Sequence, residues 1–319
     1  MKNKNHILVT GGAGFIGAHL VERLLKAGKT VVVIDDLSTG SRDNLRAVAQ
    51  HKNFRFIQTK VSAYAELPEL AAAAEFIFHL AATVGVELVV KSAQHVLEAS
   101  FNETQILLRA AAKNSTPLLL TSTSEVYGKS AKPEFSEDDD LLIGPPTHSR
   151  WSYASAKLTD EFLALAYARE KNLPVTIARL FNTVGPRQTG RYGMVLPRFI
   201  AAAKAGEPLK VYGDGAQSRC FCLVHDVVEA LVRLQQSENA RGEIFNIGGT
   251  EEISMLELAK LVVATLGSNS AIELIPYDQA YAPGFDDMRR RKPRVEKLER
   301  CVNFKPQTTL REIIRLTAE

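Results

Sequence analysis

The sequence predicts an α/β fold: a doubly wound parallel sheet covered by helices on both faces, followed by a smaller C-terminal α/β substrate lobe. Three observations predict it. Short unbroken runs of Val, Ile and Leu alternate with apolar-periodic helical stretches up to residue 180, the pattern of parallel strands buried on both faces. The first of these runs leads at once into a glycine-rich turn, Gly11-Gly-Ala-Gly-Phe-Ile-Gly17. Beyond Phe181 the elements shorten, and Gly206, Pro208, Gly213, Gly215, Gly248, Gly249, Pro276, Pro283 and Pro293 punctuate them.

Taken in order, His6–Thr10 reads as a buried strand and Phe15–Ala27 as a helix, with Thr30–Ile34 the second strand. Further strands fall at Arg55–Ile57, Glu75–Leu80, Pro117–Leu120 and Pro174–Leu180. Two long helices cover about Ser92–Lys113 and Trp151–Lys171. The crossovers between parallel strands are expected to be right-handed. Residues 1–180 thus form a first domain and 181–319 mainly a second lobe. A helix at His225–Gln236 and a strand at Ile244–Ile247 are expected to rejoin the first domain.

The 319 residues are 45% hydrophobic and 24% charged, with 39 Lys plus Arg against 36 Asp plus Glu, a formal charge of +3. That balance gives no general case for a nucleic-acid or membrane partner. The run Arg289-Arg-Arg-Lys292 reads either as solvated surface or as a contact for a small anionic ligand. Three cysteines, with Cys220-x-Cys222 lacking metal-site spacing, fit a reducing compartment and no metal. Met1–His6 runs into a strand without a signal-peptide core, and no apolar run reaches the ~18–20 residues that span a bilayer. The expectation is a soluble, cytoplasmic protein.

Gly12-x-Gly14-x-x-Gly17 sits at a strand-to-helix junction. Small residues there let backbone amides approach a pyrophosphate, and the helix start adds partial positive charge, as in Rossmann-like nucleotide sites. Asp35 ends the second strand, where a carboxylate accepts from adenosine ribose hydroxyls and repels a 2′-phosphate, favouring NAD over NADP. Asp36, beside it, reads as the residue facing solvent or capping the turn. Tyr153 and Lys157 lie one helical turn apart. A phenol loses its proton only near pH ~10, and an ammonium nearby is expected to pull that value down.

With Thr10-Gly-Gly-Ala-Gly-Phe-Ile-Gly17 and Tyr153-x-x-x-Lys157 stand further markers: Asp35-Asp-Leu-Ser-Thr-Gly40, His79-Leu-Ala-Ala82, Asn102, Thr121-Ser-Thr-Ser-Glu-Val-Tyr-Gly128, Arg179-Leu-Phe-Asn182 and Gly185-Pro-Arg187. Over essentially its whole length the chain resembles the extended short-chain dehydrogenases/reductases that act as NAD-dependent nucleotide-sugar epimerases, dehydratases and decarboxylases. The resemblance implies a Rossmann-like domain holding NAD at Gly11, Gly14, Phe15, Ile16, Gly17, Asp35, Asp36, Leu80, Ala81, Ala82, Tyr153 and Lys157. It implies a C-terminal lobe that grips a UDP-sugar, with Asn182 and Arg219 at the diphosphate and Val195 and Tyr212 at the base. It also implies a homodimer built as a four-helix bundle from the two long helices.

By the same resemblance Tyr153 is the base that takes the sugar C4 hydroxyl proton, Lys157 holds the nicotinamide ribose, and Thr123 hydrogen-bonds the reacting oxygen. Ser122-Thr-Ser-Glu-Val-Tyr-Gly128, Gly144-x5-Arg150-Trp-x-Tyr153 and Gly284-Phe-x-Asp287-x-x-x-Arg291-Lys-Pro293 resemble UDP-glucuronate decarboxylases in particular. There Ser124 or Glu125 would protonate C5 after carbon dioxide leaves, and Arg291 would orient the carboxylate, assist that protonation or clamp phosphate. A UDP-hexose or UDP-uronate 4-epimerase is the alternative, with a non-catalytic NAD-binding regulator more remote. Two departures stand out: Gln58-Thr-Lys60-Val-Ser62 lacks the aspartate that usually reads adenine, which leaves that task to backbone groups, and the loop after Arg187 is short.

Overall fold

A computed structural model describes residues 4–82, 92–190, 194–276 and 290–319. Met1–Asn3, Pro283, Gly284, Asp287 and Arg289, which figure in the sequence reading, lie outside them.

Seven parallel strands form one sheet. In chain order they are β1 (His6–Thr10), β2 (Val31–Asp35), β3 (Phe54–Gln58), β4 (Ala74–His79), β5 (Leu118–Thr123), β6 (Val175–Leu180) and β11 (Ile244–Ile247). Across the sheet they run β11-β6-β5-β4-β1-β2-β3. The order reverses between β1 and β4, which opens a crevice at the strands' C-terminal ends.

Side chains alternate between two apolar layers, as the period of two demands. Ile7 and Val9 of β1 and Val31 and Val33 of β2 face one cluster, with α1 (Phe15–Lys26) and α6 (Val224–Gln236). Leu8, Val32 and Ile34 face the other, with α2 (Leu67–Ala73), α3 (Ala93–Ala112) and α4 (Ser152–Lys171). Those residues are all buried, so neither face of the central strands meets water.

β11 pairs with β6 from Ile244↔Ile177 to Ile247↔Leu180. A third apolar cluster joins α5 (Val195–Ala205), α7 (Met255–Leu266) and α9 (Leu310–Ala318). Three two-stranded ribbons surround it, pairing β7 (Thr183–Val184) with β10 (Cys222–Leu223), β9 (Ser218–Cys220) with β12 (Glu252–Ser254), and β8 (Leu209–Tyr212) with β13 (Ile272–Ile275). Helix α7 starts at a capping box in which Ser254 and Glu257 satisfy each other's backbone amides. Cys220 and Cys222 are buried thiols on strands that follow one another in the chain but belong to different ribbons.

Candidate active site

The crevice between β1 and β4 opens into a cleft of about 1440 Å³ that continues to the third apolar cluster. Every residue singled out as a candidate from the sequence lines it.

At one end lies the glycine turn. Gly11 has φ +72, and a Cβ there would sit 2.6 Å from the Ala81 amide nitrogen. A Cβ on Gly17 would sit 2.2 Å from the Gly11 carbonyl oxygen. Turn, helix start and the end of β4 therefore pack backbone against backbone, with Leu80, Ala81 and Ala82 alongside. No acidic side chain occupies the first turn of α1, so its amides face the cleft without a competing carboxylate, which suits a pyrophosphate. Asp35 Oδ2 accepts from Ala13 N at 2.9 Å and Oδ1 from Leu37 N at 2.8 Å. Burial pushes its carboxyl up, and those two amides draw it back only in part. Its remaining lone pairs suit ribose hydroxyls. Asp36 caps the following turn by accepting from Ser38 N at 2.9 Å. The fit to a dinucleotide is thus built into the backbone.

Beyond β3, Lys60 lines the cleft, and Glu103 of α3 holds the turn. Glu103 Oε2 accepts from Ser62 N at 2.8 Å, and Oε1 from the Ser62 hydroxyl.

β5 carries Thr123 into the middle of the cleft. Thr123 Oγ1 accepts from Glu125 N at 3.2 Å, capping a single 3₁₀ turn, Ser124–Tyr127. Helix α4 delivers Tyr153 and Lys157 opposite. The expectation that Lys157 lowers the Tyr153 phenol is corrected here. Burial first, then the charge of Glu125, push the phenol well above its ordinary value; a hydrogen bond with Thr123 lowers it, and Asp160 raises it further. Lys157 is occupied elsewhere, its Nζ donating to Asp160 Oδ2 at 3.3 Å.

Glu125 is held between two guanidiniums. Arg150 Nη1 donates to Oε2 at 2.8 Å, and Arg291 Nη1 lies 2.5 Å from Oε1. Burial alone would raise this carboxyl, but Arg291 and Arg150 together take it below its usual range, so it is ionised at neutral pH. The sequence offers Arg150 only as part of the motif ending at Tyr153; the structure places it in the cleft against Glu125. The basic run containing Arg291 is not one anion site: Arg290 pairs with Glu252 at 2.5 Å and Lys292 with Glu134 at 2.7 Å, and of these three Arg291 alone lines the cleft.

At the far end, Asn182 Nδ2 donates to Cys220 O at 2.8 Å, and Arg219 Nη1 to Ser218 O at 2.8 Å. Tyr212 accepts from Arg198 Nη2 at 2.6 Å, and Val195 opens α5 beside it. Among the described residues no group of His, Cys, Asp and Glu is arranged to hold a metal ion, and no helix is long and apolar enough to cross a membrane.

Residues 7–248 match the NAD dependent epimerase/dehydratase family. A UDP-N-acetyl-alpha-D-glucosaminuronate decarboxylase of Bacillus cytotoxicus is 40% identical over 99% of this chain and 97% of its own. UDP-glucuronic acid decarboxylase 6 of Arabidopsis thaliana is 36% identical over 98% of this chain and 88% of its own. Among solved structures, a UDP-glucuronic acid 4-epimerase from Bacillus cereus, in complex with UDP-glucuronic acid and NAD, superposes with a TM-score of 0.87 at 30% identity, covering 98% of each chain.

Proposed function

The chain belongs to the NAD dependent epimerase/dehydratase family, and on that premise we propose that it decarboxylates a UDP-linked uronate to a UDP-pentose through a 4-keto sugar. UDP-glucuronate is the leading substrate. The observation that carries this reading is Glu125 clasped by Arg150 and Arg291 beside Tyr153. Both guanidiniums line the cleft where Tyr153 stands. A guanidinium fork matches a carboxylate, so the sugar's C6 carboxylate suits this place better than the hydroxymethyl of a neutral hexose.

Bound NAD supplies the acceptor, and later the donor, of the C4 hydride. Tyr153 takes the C4 hydroxyl proton, with Thr123 holding the same oxygen. The ketone makes C6 the carboxylate of a β-keto acid. As the C5–C6 bond breaks, its electron pair moves into the C4 carbonyl and carbon dioxide leaves. Arg291 or Arg150 holds the departing carboxylate. C5 then takes a proton from solvent, through a water oriented by the Ser124 hydroxyl and the Glu125 carboxylate, and Tyr153 returns its proton to the C4 oxygen as the ketone is reduced. Gly11, Gly14, Phe15, Ile16, Gly17, Asp35, Leu80, Ala81, Ala82 and Lys157 hold the dinucleotide. Asn182 and Arg219 hold the diphosphate, with Val195 and Tyr212 at the base.

Two assays test this: purified protein with UDP-glucuronate, and separately with UDP-N-acetylglucosaminuronate, reading carbon dioxide and the UDP-sugar mass. Carbon dioxide with a UDP-pentose is the expected result. A UDP-uronate epimer without gas would replace it with a 4-epimerase. No turnover with NAD retained would point to a regulator.

We place the protein in the cytoplasm as a homodimer. Helices α3 and α4 pack side by side and leave Leu97, Phe101 and Phe162 exposed, Phe162 by 65%, and a second pair of such helices would cover them. Light scattering should give twice the chain mass, falling to one chain in Phe162→Glu.

A further inference from the structure

Asp160 follows Lys157 by one turn of α4 and is fully buried. Its Oδ2 accepts from Lys157 Nζ at 3.3 Å and from the Ser100 hydroxyl of α3 at 2.7 Å. Its Oδ1 has no hydrogen-bond partner among the described residues, so the lysine is the one cation, and the Ser100 hydroxyl the one neutral donor, that it meets there. The remaining groups around the pair are committed. Glu161, the next residue, is bound to Arg179 at 2.8 Å and to the Ser122 hydroxyl at 2.5 Å. Glu125 lies between Arg150 and Arg291. His79 of β4 hydrogen-bonds Thr10 and Thr104, and burial, then Lys157, hold it near a pKa of about 3, so it is neutral. Glu103 of α3 holds Ser62. Asp160 is thus the carboxylate in contact with Lys157 among the described residues.

We propose that Asp160 is a positioning residue for the Tyr153–Lys157 pair: as the buried counter-ion of the lysine, it fixes where the ammonium sits and how readily the phenol gives up its proton. The physical argument is charge balance. An ammonium beside a phenol favours the phenolate, but a carboxylate on the far side of that ammonium cancels much of its field. The direction agrees with the raised phenol described above, to which Asp160 contributes. Asp160 therefore raises the pH at which Tyr153 gives up its proton. The inference rests on Tyr153 being the base, and its test does not require turnover.

The test is phenolate absorbance of the NAD-loaded protein near pH ~10, each variant being read against the same variant carrying Tyr153→Phe, with far-UV circular dichroism confirming the fold. Wild type should show no phenolate from Tyr153, and Asp160→Asn should show one. In the reduced-cofactor assay with UDP-glucuronate, the acid limb of the pH profile should move down by about one to three units. Equal phenolate in wild type and Asp160→Asn would overturn the proposal. Asp160→Ala provides the same reading should the Asn variant fail to fold. Ser100→Ala, which keeps the charge, should titrate like wild type; a phenolate equal to that of Asp160→Asn would assign the effect to packing and also overturn it. A phenolate gain in Asp160→Asn without turnover of any UDP-uronate by wild type would sink the proposed reaction and leave the role of Asp160 standing.

Discussion

Burial first, then the charges of Glu125 and Asp160, raise the phenol of Tyr153, so its proton is held tightly. We expect Tyr153→Phe to lower reduced-cofactor formation by about 10²–10⁴-fold while calorimetric NAD affinity stays near wild type. Retention of full single-turnover rates would remove Tyr153 from the role. Glu125→Gln keeps the shape but removes the charge that Arg150 and Arg291 share. It should slow carbon dioxide release more than C4 oxidation in rapid-quench experiments; equal slowing of both steps would make Glu125 a structural residue. Tyr153 and Lys157 were legible from spacing, because one helical turn puts both on one side of a helix. Arg150 stood in the sequence only as part of a motif, since only tertiary packing shows that it meets Glu125. The Lys157–Asp160 pair is local, three residues apart on one helix; what the sequence does not show is the burial that raises the phenol and makes that counter-ion count.

At the level of elements, the turn between β1 and α1 is the tightest piece of the cleft. A methyl at Gly17 would meet the Gly11 carbonyl oxygen at 2.2 Å, and backbone cannot step aside as a long side chain can. Gly17→Ala should cost about 1–3 kcal/mol of stability and weaken NAD binding, read by urea titration and calorimetry on the same preparation. Unchanged NAD affinity would mean that the helix start does not contact the dinucleotide. This turn was readable because its glycines, strand and helix are contiguous. So were the long helices and the Val/Ile/Leu strands, to within a residue or so at most ends. β5 was foreseen only as far as Leu120, yet it continues through Thr121, Ser122 and Thr123, which pair with β6. Hydroxyl residues ending a buried strand look like loop until the functional cleft that wants them there is seen. The two-residue strands β7 and β10 carry no periodicity at all, and the third apolar cluster assembles from pieces too short to announce themselves.

On the scale of the whole molecule, distant segments are joined by buried imidazoles. His79 links β1 to α3 through Thr10 and Thr104. His19 of α1 hydrogen-bonds the Pro186 carbonyl at 3.0 Å and packs edge-on against His225, tying the loop after β7 to the first helix. Burial is the largest cause in both, lowering His19 to about 4 and His79 to about 3. An unfolded histidine titrates near ~6.5. Both folded values lie below that, so the unfolded chain binds protons that the native state refuses. The stability these neutral rings contribute is fully present above pH ~6.5 and is lost as pH falls toward their folded values. At ~1.4 kcal/mol per pH unit per group, the two together should cost about 3–4 kcal/mol between about pH 7 and pH 5. His6, also lowered by burial, adds to the loss. Glu125, a carboxylate held below its usual range, acts only under more acid conditions. Asp35 and Glu137, raised by burial, oppose the loss as they take up protons. Urea denaturation at fixed protein concentration should therefore give a lower midpoint near pH 5 than near pH 7, with an unchanged slope. His19→Asn should flatten that dependence by roughly half. A midpoint that holds or rises on acidification would show that these rings gain their protons without opening the fold.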